Sequence, residues 1–199
     1  MVFNNSENNI IPINLLNLFN SIIPLDDTII ADISQKLKFT ILKKKEILLK
    51  IGSICNSIYF IEKGMVRSYY LESENQVTTW FMKENDLIIS VKSFFEQTKS
   101  SECIEAIEET HLHYISFSNL LELYIKYHTF SLIGLQLTQY YYIKSEERLI
   151  NLRKKDATAK YKYLLSNHPD ILLRCPLTHV ASYLNITLET LSRLRGLKI

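Results

Sequence analysis

Glu189, Thr190, Ser192, Arg193 and Arg195 gather a carboxylate, two hydroxyls and two guanidinium groups into a short stretch near the C-terminus. On a helix they share the surface away from Leu188, Leu191 and Leu194, which recur every third residue. An arginine fork donates to a guanine edge, a carboxylate accepts from cytosine, and hydroxyls bond phosphate oxygens. These residue types therefore point to the edges and backbone of duplex DNA. The elements that must hold them are two short helices. Val180, Ala181 and Leu184 fall at i, i+1 and i+4, one face of a first helix, and Ala181 is small where a second would cross it. Asn185 tolerates the left-handed backbone that a tight turn requires. Ile186 sits in the connection, and Thr187 is suited to cap the second helix through its hydroxyl. Thr178 in the first helix and Lys198 beyond the second complete the expected DNA contacts. An ordinary surface hairpin would share the apolar spacing; the polar face distinguishes this one.

Charge supports that face. The 199-residue chain has a net charge of +2, unevenly spread. From Lys144 onward there are 11 Lys and Arg against 5 Asp and Glu, a net of +6, whereas residues 1–143 carry −4. A basic third joined to an acidic remainder indicates that one end meets a polyanion. Lys160 and Lys162 are further candidates for phosphate contact.

Other chemistries find little support. Cys55, Cys103 and Cys175 are odd in number and widely spaced, offering neither a disulfide framework nor a metal cluster, so no metal or cofactor is expected. His111 and His113 alternate on a strand and share a face, an arrangement more often structural than ligating. No Ser/His/Asp or Cys/His set, phosphate-cradling glycine loop or paired carboxylates stand at motif spacing, so an enzyme is not expected; Glu108 and Glu109 beside His111 read as a strand-end turn. No apolar run reaches membrane-span length, and no basic start precedes an apolar core, so a cytoplasmic protein is expected.

Along the chain, Asn14 to Phe19 and Asp26 to Leu37 show helical spacing, with Asp26 or Asp27 as a cap. From Phe39 to Phe117 the pattern changes to short alternating runs: Glu46–Ile51, Ser57–Glu62, Met65–Leu71, Val77–Met82, Cys103–Ile107 and His111–Ile115. Gly52, Gly64, Glu74-Asn75 and Asn85-Asp86 punctuate them, predicting an antiparallel jelly roll or small barrel. Trp80, Phe81, Phe94 and Phe95 are expected in its core. Ser118 is placed as the cap of a short helix through Tyr124. A long helix is predicted from Thr129 to Leu152, with Phe130, Ile133, Leu137, Tyr140, Tyr141 and Lys144 recurring about every 3.5 residues, and Leu149 and Ile150 beyond. Asp156 to Ser166 forms another helix, ending at an Asn167–Asp170 turn. The class is α+β: a sensor-like β-roll over 1–127, a dimerisation helix over 128–152 and a helix-turn-helix unit over 153–199.

In this order the chain resembles the Crp/Fnr family of bacterial transcription regulators. Gly52, Ile58-Tyr59-Phe60-Ile61 and Gly64-Met65-Val66 are similar to the family's G…LYFIxxGxVR pattern. Asn85-Asp86-Leu87 occupies its Gly-Asp-Phe turn, Ile104-Glu105-Ala106 its following strand, and residues 178–195 its DNA-binding helices. A short form lacking a C-terminal wing is the nearest likeness. The resemblance implies a homodimer on double-stranded DNA, with Glu189 and Arg193 reading base edges, and Thr190 and Ser192 contacting phosphates or supporting the helix. It also implies an effector pocket near Ile89, Ser90, Val91, Ser100 and Ser101. Cyclic-AMP-binding members hold the phosphate there with Gly-Glu and Arg-Ser or Arg-Thr. Here the stretch from Ile88 to Phe95 has neither Gly nor Glu, and Ser100 stands at the arginine position. Cyclic AMP binding in the usual manner is therefore not expected, and an unknown small molecule is left as the effector. The alternative is a ligand-binding or protein-interaction module whose helix-turn-helix does not read DNA.

Overall fold

Two four-stranded antiparallel sheets form the roll. The computed structural model describes residues 11–154 and 156–196. Before the roll stand α1 (Ile13–Ile22) and α2 (Asp27–Lys36), the latter capped by Asp26 through a hydrogen bond from the Ile29 amide. The strands are β1 (Lys38–Leu42), β2 (Ile47–Leu49), β3 (Ser57–Lys63), β4 (Met65–Glu72), β5 (Asn75–Lys83), β6 (Leu87–Ile88), β7 (Cys103–Ala106) and β8 (Thr110–Ser116). One sheet runs β1-β8-β3-β6 and the other β2-β7-β4-β5. The predicted strands are all present; β1 and the two-residue β6 are not among them, and a helix α3 (Val91–Glu96) fills the gap before β7.

Turn chemistry sets the corners. Gly64 joins β3 to β4 at φ +101°, where a Cβ would lie 2.5 Å from the Glu109 carbonyl oxygen. No side chain fits there.

Residues Phe60, Ile61, Val66, Ile88, Ile104 and Leu112 fill the roll's interior, closed at one end by Leu15, Phe19, Ile29 and Ile33. Along β4, Met65 to Tyr69 are all buried, because both faces of this strand are covered. Val66 points into the roll, whereas Met65 joins Phe81 and Ile107 in a second core built by the C-terminal helices. The expected aromatic core divides accordingly. Phe81 and Phe94 are buried, but Phe95 is 55% exposed and Trp80 is only half-buried.

After the roll come α4 (Phe117–Lys126) and α5 (His128–Arg153). The cap of α4 is Ser116, accepting from the Asn119 amide, rather than Ser118. Two hydroxyls lay within one turn, and the last strand residue takes the extended conformation a cap needs. On α5, the expected repeat of Phe130, Ile133, Leu137 and Tyr141 faces this chain's own roll. Phe130 and Ile133 are buried, Leu137 packs on the roll core, and Tyr141 Oη accepts from the Leu87 amide at 2.7 Å. The opposite face carries Leu132, Leu135, Tyr142, Ile143, Leu149 and Ile150, each at least 38% exposed. Positions 135, 142 and 149, with 136, 143 and 150 beside them, recur at heptad spacing. The expected stripe is thus turned inward from Phe130 to Tyr141, whereas Tyr140, Leu149 and Ile150, also expected in it, lie exposed.

The last helices are α6 (Ala157–Asn167), α7 (Pro169–Arg174), α8 (Leu177–Leu184) and α9 (Leu188–Gly196). Asp156 caps α6, as its position predicts. The Asn167–Asp170 turn is shorter than expected, since Pro169 starts α7 at the position where a missing amide costs nothing. Among the described residues no helix is long and apolar enough to cross a membrane.

Candidate nucleic-acid interface

Helices α8 and α9 meet at Asn185, which adopts φ 50°, ψ 56°. The amides of Asn185 and Ile186 bond back to the carbonyls of Ser182 and Ala181, closing α8 through a left-handed cap. Thr187 then starts α9, its hydroxyl accepting from the Thr190 amide at 3.2 Å and donating to Thr190 Oγ1 at 3.0 Å. Val180, Ala181, Leu184, Leu191 and Leu194 are buried between α6, α8 and α9. Leu188, expected with them, is 41% exposed. It opens the first turn of α9, one turn short of the packed region.

The polar face stands free. Thr178, Thr187, Glu189, Ser192, Arg193 and Arg195 are exposed and Thr190 is half-buried. Glu189 lies below the ordinary carboxylate range, held by its own backbone amide and by Thr187 at the N-terminus of α9. The Glu189 carboxylate is therefore held as a charged acceptor at neutral pH. Lys198 lies outside the described residues. Lys162 is exposed, but Lys160 is only 7% exposed and donates to the Leu184 carbonyl at 3.1 Å. It braces the end of α8 and cannot also reach a phosphate backbone.

Residues that sequence patterns did not single out fix this unit against the roll. Ser182 Oγ accepts from the Thr78 amide at 2.9 Å and donates to the Gln76 carbonyl at 3.1 Å. Lys83 pairs with Asp170 at 2.8 Å, and Phe81 packs against Tyr183 with ring centroids 5.1 Å apart. Only the surplus of polar and aromatic residues at these positions hinted at such contacts.

In the roll, the structure brings Ser90 and Ser100 of the expected effector pocket together. Val91 and Ser101 are exposed and Ile89 is half-buried. Ser90 and Ser100 are buried with their hydroxyls 2.9 Å apart, and both engage Glu102: Ser90 Oγ donates to its carboxylate at 3.2 Å, and Ser100 Oγ to its carbonyl at 2.9 Å. Thr79 Oγ1 donates to the same carboxylate at 3.4 Å. Arg67 is 2% exposed but committed to Glu105 at 2.9 Å and to Thr78 at 3.2 Å. His111 and His113 do share a face, both rings packing on Phe39, with His113 bonded to Glu62 at 2.9 Å.

An antiparallel roll, a long connecting helix and a terminal helix-turn-helix make up the fold of the Crp/Fnr regulators. Residues 39–127 match the family model of the cyclic nucleotide-binding domain. Among solved structures, FixK2 from Bradyrhizobium japonicum superposes with a TM-score of 0.70 at 20% identity, covering 80% of this chain and 83% of its own. A CooA double mutant from Carboxydothermus hydrogenoformans gives 0.66 at 21%, over 94% and 84%. A Crp/Fnr-family regulator from Eubacterium rectale gives 0.69 at 18%, over 89% and 83%. No curated protein matches the sequence.

Proposed function

We propose that this protein is a transcription regulator that reads duplex DNA as a homodimer. The observation that carries the reading is the free polar face of α9, with Glu189, Ser192, Arg193 and Arg195 exposed behind a Thr187 cap. Leucines at 191 and 194 lock its other side, so the face is held rigidly enough to enter a major groove. The unpartnered seam of α5 supports pairing: Leu135, Tyr142 and Leu149 repeat along it and are exposed. Two copies joined there would present two recognition helices about one helical turn apart, or about 34 Å.

The division of labour follows the two cores, with residues 1–127 as the effector or structural roll, 128–152 as the dimer helix and 153–199 as the DNA-binding unit. The roll works without cyclic AMP in the family's usual manner, because Ser90, Ser100 and Glu102 bond one another where a cyclic phosphate would sit. A cytoplasmic location accords with DNA as the partner.

Selection from random duplex, followed by footprinting, tests the reading. Enrichment of a two-fold symmetric site is expected. No enrichment at low salt would leave a protein-interaction module instead.

A further inference from the structure

A cavity of about 330 Å³ lies between the roll and the C-terminal unit, walled by β5, α5, α6 and α8. Its size falls at the lower end of small-molecule sites. Two cations on its wall have no carboxylate partner among the described residues. Arg148 is half-buried, and its guanidinium makes a long hydrogen bond, 3.5 Å to the Thr78 carbonyl, and another to the Tyr183 hydroxyl. That leaves most of its five N–H donors unused. It sits 4.1 Å from the Tyr183 ring centroid and 5.7 Å from that of Trp80. Lys160, 7% exposed, spends one donor on the Leu184 carbonyl. The other charges on the wall are engaged: Lys144 with Glu147 at 3.1 Å, Lys83 with Asp170, and Asp86 with the Lys83 amide at 2.9 Å.

A guanidinium with no carboxylate partner, its spare N–H groups facing the cavity, is placed to take an anion there. Trp80, Tyr140, Tyr163 and Tyr183 add flat apolar faces to the same wall. We infer that this cavity binds a small planar aromatic acid, its carboxylate taken by the Arg148 fork with Lys160 near it, and its ring stacked among the aromatic side chains. The site is separate from the Ser90–Ser100 region. Because both the roll and α8 contribute walls, an occupant would set how the C-terminal unit sits on the roll.

Benzoate and 2-naphthoate are the probes, each compared with its carboxamide by calorimetry on the full chain. Trp80 is the only tryptophan, so its indole N–H gives a single resonance that reports the cavity. At least one acid should bind with a dissociation constant below about 1 mM, at least tenfold more tightly than its amide, and shift the Trp80 signal. Arg148→Met should abolish the preference for the acid. Tyr183→Leu should weaken acid and amide alike. If Arg148→Met does not fold, Arg148→Lys keeps charge without the planar fork and should still weaken the acid severalfold. Failure of both acids to bind, equal binding of acid and amide, or a preference unchanged in the arginine variant would each overturn the inference. None of these readouts depends on DNA, so the site stands or falls apart from the regulator reading.

Discussion

Arg174 of α7 grips Glu84 at the end of β5 with both arms of its fork, Nη1 to Oε2 at 2.9 Å and Nη2 to Oε1 at 2.8 Å. The same carboxylate accepts from the Gly64 amide at 2.8 Å, and Arg174 also reaches Glu108. One guanidinium thus ties the C-terminal helices to two corners of the roll. Burial alone would raise the Glu84 pKa; the arginine and the backbone donors outweigh it and hold it at about 2.

Arg174→Met should therefore destabilise the chain by about 1–2 kcal/mol, less than a fully buried pair would lose because both groups are partly solvated. Urea denaturation measures it. The folded-state pKa of Glu84 is below its unfolded value, so the contribution is present above about pH 4.5 and lost as pH falls toward 2. Glu84→Gln should lower stability at neutral pH and flatten that acid limb.

His179 gives a second pH dependence at milder acidity. Burial, aided by Arg67, lowers its pKa to about 4, and its Nδ1 is buried without a partner among the described residues. Between about pH 6.5 and 4 the unfolded chain binds the proton first, so stability falls across this window as pH is lowered. His168 is shifted in the same direction by burial. His179→Leu should reduce the slope there, read from melting temperatures at a series of pH values; an unchanged slope would refute the assignment.

On DNA, Arg193→Ala should lose about 1–3 kcal/mol of discrimination at one base position per half-site. Lys162→Ala should instead weaken all duplexes evenly and reduce the salt slope by about 1. Binding titrations on specific and random duplex at several salt concentrations separate them. Equal losses on both duplexes for Arg193→Ala would remove it from base reading.

Backbone demands at the roll's corners predict unequal costs for alanine. At Gly64 the new methyl meets the Glu109 carbonyl and Thr110, so several kcal/mol should be lost. Gly52 also has a positive φ, +84°, but open space around it, and its alanine variant should cost only about 1 kcal/mol. Chemical denaturation of the two variants provides the comparison.

A charge on the α5 seam should split a dimer. Tyr142→Glu is expected to shift the chain toward monomer at micromolar concentration in sedimentation velocity, with secondary structure intact. Tyr141→Phe on the opposite face, losing the hydroxyl's hydrogen bonds with the Leu87 amide and Asp86, should leave the association state unchanged. The reverse pattern would place the partner elsewhere.

Local signals carried much of this architecture. The Thr187 cap, the Asn185 turn and the buried leucines of α9 follow from residue type and spacing within one or two turns. What escaped depended on long-range packing. Lys160 is a basic residue in a basic segment, and nothing near it in sequence marks it as the brace beneath Leu184. The apolar residues of α5 are spread around the helix rather than gathered on one face, so periodicity alone could not tell the roll-facing side from the free one. Ser182 and Arg174 look like ordinary surface residues until β5 and Glu84 are brought to them.

The hydroxyl of Ser182 has a further consequence. Among the described residues strand β5 pairs only with β4, so its outer border would otherwise offer bare amides and carbonyls to any passing strand. Ser182 occupies two of those groups, and α8 shields their surroundings. Any motion that lifts α8 therefore uncovers an adhesive border, tying the freedom of the C-terminal unit to the risk of aggregation. Ser182→Ala should raise the tendency to aggregate more than its effect on stability would explain, and light scattering on warming would register it.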